Sequence, residues 1–173
     1  MAEARKAGRG SAAPVFGVAC FDLSGIISYA DAGYSGLLGR DAGEIIGRTP
    51  FDFILAADFE ENRKRLPAII STREPCSFSK RYVQPDGTIV TVRAHAFLLW
   101  DGAGEKLGIF GVLYEEDEHG RPACGGAPLT IDALLWLERR AREHTRDGAV
   151  PIARLRKLVI EAFAMPDGTE HTA

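Results

Sequence analysis

A chain of 173 residues with a formal net charge of −3 is one domain with an appendage, or two small domains, and can bury a core without staples. Hydrophobic residues at 46% and charged residues at 26% are ordinary for a globular protein, and a pI near 5.8 gives no electrostatic argument for nucleic acid or a membrane surface. No apolar run approaches the roughly 18 residues of a membrane span. Three widely spaced cysteines, Cys20, Cys76 and Cys124, form no CxxC pair, so reduced thiols and a cytoplasmic location are expected.

Residues 1–14 lack a continuous apolar stretch and are expected to be a flexible tail, not a signal peptide. Val15 to Phe21 is β-prone, Ser24-Gly25 turns the chain, and Ile26 to Tyr29 answers as a second strand. Asp31 can cap a short helix carrying Tyr34, Leu37 and Leu38, which Gly39 closes. Asp41 and Glu44 have capping-box spacing before Ile45-Ile46-Gly47. A longer helix is expected from Asp58 to about Ser71, with Leu66, Ile69 and Ile70 on one face and a kink or early end at Pro67.

Ser77 to Trp100 reads as one long β-hairpin turned by Pro85-Asp86-Gly87. In its second strand Val90, Val92, Ala94, Ala96, Leu98 and Trp100 fall on one face, and Thr91, Arg93 and His95 on the other. Side chains alternate along a strand, so the even set should face a core and the odd set something wetter. Ala94 and Ala96 are small enough to leave room for a cavity. After an Asp101–Glu105 turn, Lys106 to Glu116 is a strand apolar on both faces, with Leu107, Ile109 and Leu113 on one and Phe110, Val112 and Tyr114 on the other. Something should therefore cover the outer surface of the sheet.

Residues 118–128 have linker composition. Beyond them, residues 129–166 form an amphipathic helical hairpin: Thr130 caps a helix to about Arg146, Asp147-Gly148 turns, and Pro151 opens a second helix. Residues 167–173 are a tail.

Phe21-Asp22-x-x-Gly25-x-Ile27, Leu38-Gly39 followed by Glu44-Ile45-Ile46-Gly47, Asp52-Phe53 with Asp58 before the long helix, the Pro85–Thr88 turn and Gly108-x-x-Gly111-Val112 stand in this order and spacing. Over residues 15–117 that series resembles a PAS domain. The resemblance implies an α+β fold: a five-stranded antiparallel sheet with short helices on one face, here joined by the C-terminal helical hairpin. It also implies a sensory and interaction module that often holds a small ligand between the sheet and its helices, and often dimerises through the outer face.

A ligand cavity, if present, would be lined by Leu38, Ile46, Phe53, Ile54, Leu66, Ile69, Ile70, Val90, Val92, Ala94 and Ala96; alternatively these residues fill a core at native density. No polar group is expected to aim inward. Haem-binding relatives supply an axial histidine from the long helix, and Asp58–Ser71 contains none; photochemical flavin relatives carry a cysteine just before that helix, and Gly47–Phe51 has none. Haem and flavin are therefore disfavoured, and no cofactor is required. No His or Cys pair shows metal-ligand spacing, and no nucleophile or phosphate-loop motif suggests catalysis, the nearest constellation being His95 with Glu115 or Glu116.

The candidate interface comprises Arg93, His95 and Phe97 on the odd face with Leu134, Leu135, Leu155 and Val159 on the hairpin. These residues could meet a second copy, a partner such as a kinase or regulator, or the sheet of the same chain. The hairpin's Arg139, Arg140, Arg142, Arg146, Arg154, Arg156 and Lys157 raise DNA binding as an alternative. A matching number of acids, Asp132, Glu138, Glu143, Asp147, Glu161, Asp167 and Glu170, and the lack of a third helix argue against it. The expectation is a cytoplasmic signalling module that acts by binding a protein partner, as a homodimer, without its own catalytic output.

Overall fold

The computed structural model describes residues 15–123, 125–145 and 152–165. The N-terminal tail, Cys124, Arg146, the Asp147-Gly148 turn, Pro151 and the tail at 167–173 lie outside these residues.

The long hairpin forms where its turn chemistry places it. Gly87 takes φ +86°, open to glycine without a Cβ penalty, and its N–H donates to Gln84 O at 2.9 Å. Strands β3 (Cys76–Val83) and β4 (Ile89–Trp100) pair antiparallel, with Lys80 opposite Val92 and Tyr82 opposite Val90. Strand β5 (Lys106–Glu115) pairs with the other edge of β4 and with β1 (Gly17–Phe21), and β2 (Ile27–Ala30) pairs with β1. The strand order is β2-β1-β5-β4-β3, antiparallel throughout.

On the inner face, α1 (Ala32–Leu38) starts at Asp31, whose Oδ1 accepts from Tyr34 N at 2.8 Å and Val18 N at 3.0 Å. This cap satisfies two backbone donors and ties the helix start to β1. The helix lies so close to β1 that a Cβ built on Gly33 would sit 2.1 Å from Phe16 O; only glycine fits there. Helix α2 (Ala42–Ile45) has the expected Asp41–Glu44 capping box. Two 3-10 turns, Pro50–Asp52 and Ala56–Asp58, lead into the next helical stretch.

That stretch is two helices, not one: α3 (Phe59–Arg63) and α4 (Arg65–Thr72). Pro67 explains the break. It cannot donate to the Arg63 carbonyl, and its ring crowds that oxygen. The disruption therefore falls one turn upstream of the proline.

The outer face is covered by the C-terminal helices. Helix α5 (Ile131–His144) begins at Thr130, whose hydroxyl accepts from Ala133 N at 3.1 Å, and α6 (Ile152–Phe163) packs beside it. Leu134, Leu137, Leu155, Leu158 and Val159 are fully buried with Phe97, Phe110, Val112 and Tyr114 of the sheet. Each such side chain contributes about 1.5–3 kcal/mol by burial. The two apolar faces of β5 are thus accounted for within one chain.

The register shift between Leu99 and Trp100 corrects two expectations. Leu107 turns to the outer cluster and away from Ile109 and Leu113. Trp100 leaves the even face of β4 and donates through Nε1 to Glu138 Oε1 of α5 at 3.0 Å. Its ring lies between the guanidinium groups of Arg73 and Arg142, 4.6 Å and 4.0 Å from the centroid. An extra residue in one strand rotates everything after it.

Candidate functional site

The alternation along β4 holds inside the regular ladder. Val90, Val92, Ala94, Ala96 and Leu98 face the inner clusters, and Phe97 and Leu99 the outer one. Where the two alanines stand, the inner face opens into a pocket of about 110 Å³ between β4, β5 and α4. Ala94, Ala96 and Leu113 form its floor, Leu66 and Ile69 of α4 one wall, and Phe51, Ile54 and Phe78 the other. The space is on the scale of one six-membered ring: an engineered apolar cavity of about 150 Å³ takes benzene.

Of the residues expected to line a cavity, Ile54, Leu66, Ile69, Ala94 and Ala96 do so. Leu38, Phe53, Val90 and Val92 instead pack the adjoining core around Tyr34 and Tyr82, whose hydroxyls bond each other at 3.1 Å. Ile70 packs at the side of the Ile69–Ala96–Leu98–Ile109 cluster. Ile46 is a correction: it is 46% exposed, because the backbone turns extended at the end of α2 and carries it outward.

A second correction concerns polarity. Polar residues line the pocket, Ser24, Thr49, Asn62 and His95 among them, and two of them are cationic: Lys80 and Arg65. Lys80 shares the inward parity of Phe78 and Tyr82 on β3 and is 6% exposed. Its Nζ lies 5.6 Å from the Phe78 ring centroid and 4.9 Å from that of Tyr82. The Nζ has no hydrogen-bond or ion-pair partner among the described residues. Burial presses the amine down to about 7, against a smaller upward pull from Cys76.

Arg65 also lies over the Phe78 ring, its Cζ 5.1 Å from the centroid. One end of its guanidinium pairs with Glu61, while its buried Nε has no partner. Asn62 is held by a bond from Nδ2 to Asp58 O at 2.8 Å. Asp58 in turn binds Arg81, which holds its carboxyl below the usual range. That pair, with Leu55 N donating to Arg81 O at 2.8 Å, pins the approach to α3 against β3. The pocket wall is therefore a fixed structure.

His95 sits on the odd face, yet the face is not wet: the residue is 2% exposed. Nδ1 bonds Ser77 Oγ at 2.7 Å and Nε2 bonds the Tyr114 hydroxyl at 3.3 Å. Burial, reinforced by Arg93, drives its imidazole down to about 3, so it is neutral at physiological pH. Arg93 pairs with Glu116 at 2.8 Å. Phe97, Leu134, Leu155 and Val159 are all buried inside this chain; Leu135, at 48% exposure, is the one hairpin anchor that faces outward.

Arg156 of α6 reaches across to Asp31 Oδ2 at 3.0 Å. Asp31 thereby caps α1 with one oxygen and holds α6 with the other, joining the two sides of the sheet. Of the hairpin's basic residues, Arg140, Arg142 and Arg156 are engaged in intrachain ion pairs. Among the described residues no cluster of three His, Cys, Asp or Glu could hold a metal ion.

The family described as the PAS fold matches residues 13–118. No match is found among curated proteins. Several solved structures share the fold. The PAS domain of a protein from Colwellia psychrerythraea is 17% identical, over 58% of this chain and 86% of that one, with TM-score 0.54. Drosophila melanogaster Cycle PAS-B with bound ethylene glycol is 12% identical, over 57% and 98%, with TM-score 0.53. VqmA bound to DPO is 23% identical, over 64% and 55%, with TM-score 0.52. The fold class follows from the sheet and its helices, and the match over most of the chain carries the assignment: this chain belongs to the PAS family.

Proposed function

We propose that this PAS protein is a sensory module that holds a small molecule in the inner-face pocket and signals through protein contacts, without catalysis of its own. The observation that carries the reading is the pocket itself: a preformed apolar cavity with a few convergent polar groups. Cycle PAS-B and VqmA, with the same fold, are described with small molecules bound. That supports the reading without specifying a ligand here.

The route outward is short. Ala94 and Ala96 touch the pocket while Phe97, one residue on, packs under the C-terminal helices. Asp31 offers a second link through Arg156. Occupancy that shifts β4 or α1 would be felt by α6.

The output surface is the outward side of α5, where Ile131 and Leu135 lie one turn apart at 53% and 48% exposure. A homodimer forms there, with a kinase or regulator as downstream partner, in the cytoplasm. No helix among the described residues is long and apolar enough to cross a membrane.

Methyl-labelled protein titrated with ring-sized and short-chain fragments tests the ligand reading. Signals of Ile54, Leu66 and Ile69 should shift first, and Ala94→Phe, which fills the floor, should remove the response. Shifts confined to α5 and α6, or none, would overturn it.

A further inference from the structure

We infer that the molecule received by this pocket is a small organic acid, a single ring or short chain bearing a carboxylate that Lys80 and Arg65 bind together. The inference rests on the ligand-binding reading above and adds the chemistry of the ligand. Two cationic side chains lie over the Phe78 ring and line the cavity, and no carboxylate is among its lining residues. Lys80 is almost wholly buried, and among the described residues its Nζ has no hydrogen-bond or ion-pair partner; Arg65 Nε is buried and unpaired among them too.

The Lys80 ammonium stands over two ring faces in a nearly dry site; burial costs it hydration, and cation–π contact returns part of that cost. Cys76 cannot serve as the missing counter-ion, because burial raises its thiol and keeps it neutral. A carboxylate accepts from Lys80 Nζ and Arg65 Nε at once, completing both donors, while Leu66, Ile69 and Ala94 surround the hydrocarbon. Because Glu61 already pairs with Arg65, the protonated site carries a net charge of about +1, which a carboxylate neutralises; a phosphoryl group, at about −1.5 to −2, would leave negative charge unmatched.

The groups facing Lys80 are Arg65 from α4, Cys76 and Tyr82 from its own strand, and His95 from β4, neutral and bonded on the opposite side; β5 contributes Leu113. A bound carboxylate raises the Lys80 amine from about 7, so binding takes up a proton. Affinity is then level below that pH and falls as the pH rises above it.

The test is calorimetric titration of the full chain at pH 6.5 with matched pairs: benzoate against benzamide, and hexanoate against hexanamide. The acid of at least one pair should bind about ten- to a hundredfold more tightly than its amide. Lys80→Met should erase that preference while amide binding persists, which shows that the variant is folded. If the amides bind as tightly as the acids, or the preference survives Lys80→Met, the acid inference fails and the pocket stands. If neither member of any pair binds, both readings fail together.

Discussion

The two faces of one sheet have been used in opposite ways. The outer face is closed: α5 and α6 lay Leu134, Leu155, Leu158 and Val159 against Phe97, Phe110 and Tyr114. The charges nearest that seam, Arg142 with Glu138 and Arg156 with Asp31, are paired. The inner face keeps a space beside two alanines and holds Lys80 there with no counter-charge among the described residues. Close packing stabilises and leaves nothing to bind. A void with an uncompensated cation costs stability and provides recognition, a trade usual at functional sites.

Truncating the closed face should have the largest effect. Leu134→Ala or Leu158→Ala should destabilise by about 2–5 kcal/mol in chemical denaturation, since each side chain is fully buried. The open face should answer with the opposite sign. Lys80→Met replaces a buried, unpaired amine by an apolar chain of similar length and should stabilise by roughly 1–4 kcal/mol at pH 7.

The pH dependence sharpens that prediction. Burial holds the native amine near 7, and the unfolded one keeps its ordinary 10.5. Between those values the unfolded chain binds more protons, so the Lys80 penalty, full below about 7, is relieved as pH rises. Wild-type stability should gain this increment between pH 7 and 10, and Lys80→Met should lack it. His95 acts on the acid side. Its native imidazole titrates near 3 against 6.5, so its contribution is lost as pH falls through that window, and His95→Phe should flatten the acid limb of a melting-temperature profile.

Smaller effects probe what joins the faces. Asp31→Ala removes the α1 cap and the Arg156 pair together and should cost about 1–2 kcal/mol by denaturation. Leu135→Glu, at an exposed position, should change stability by less than about 0.5 kcal/mol. It should nonetheless shift a homodimer to monomer in sedimentation velocity; an unchanged sedimentation coefficient would remove α5 as the dimer contact.

Much of the fold was legible because its signals are local. Asp31, the Asp41–Glu44 box, Thr130 and the Pro85–Gly87 turn each fix a boundary through hydrogen bonds within a few residues. Period-two alternation placed Ala94 and Ala96 on the pocket side correctly. The misreadings have longer-range causes. Trp100 and Leu107 follow a register shift that appears only once β4 and β5 pair. His95 is dry because Ser77, Tyr114 and the C-terminal helices close over its face.

Lys80 was missed for a different reason. In the structure the alternation that turns Phe78 and Tyr82 inward turns Lys80 inward between them, but from the sequence alternation was applied only to the second strand of the hairpin. Parity carried through the first strand was the readable signal.

The most direct test of the contrast between the two faces is the titration of Lys80 itself, followed by heteronuclear NMR at its side-chain Cε and Nζ. The free protein should show an amine titrating near 7, moving upward when benzoate is added. An amine titrating near 10.5 in the free protein would mean that Lys80 is solvated or paired, and that the inner face holds no unanswered charge.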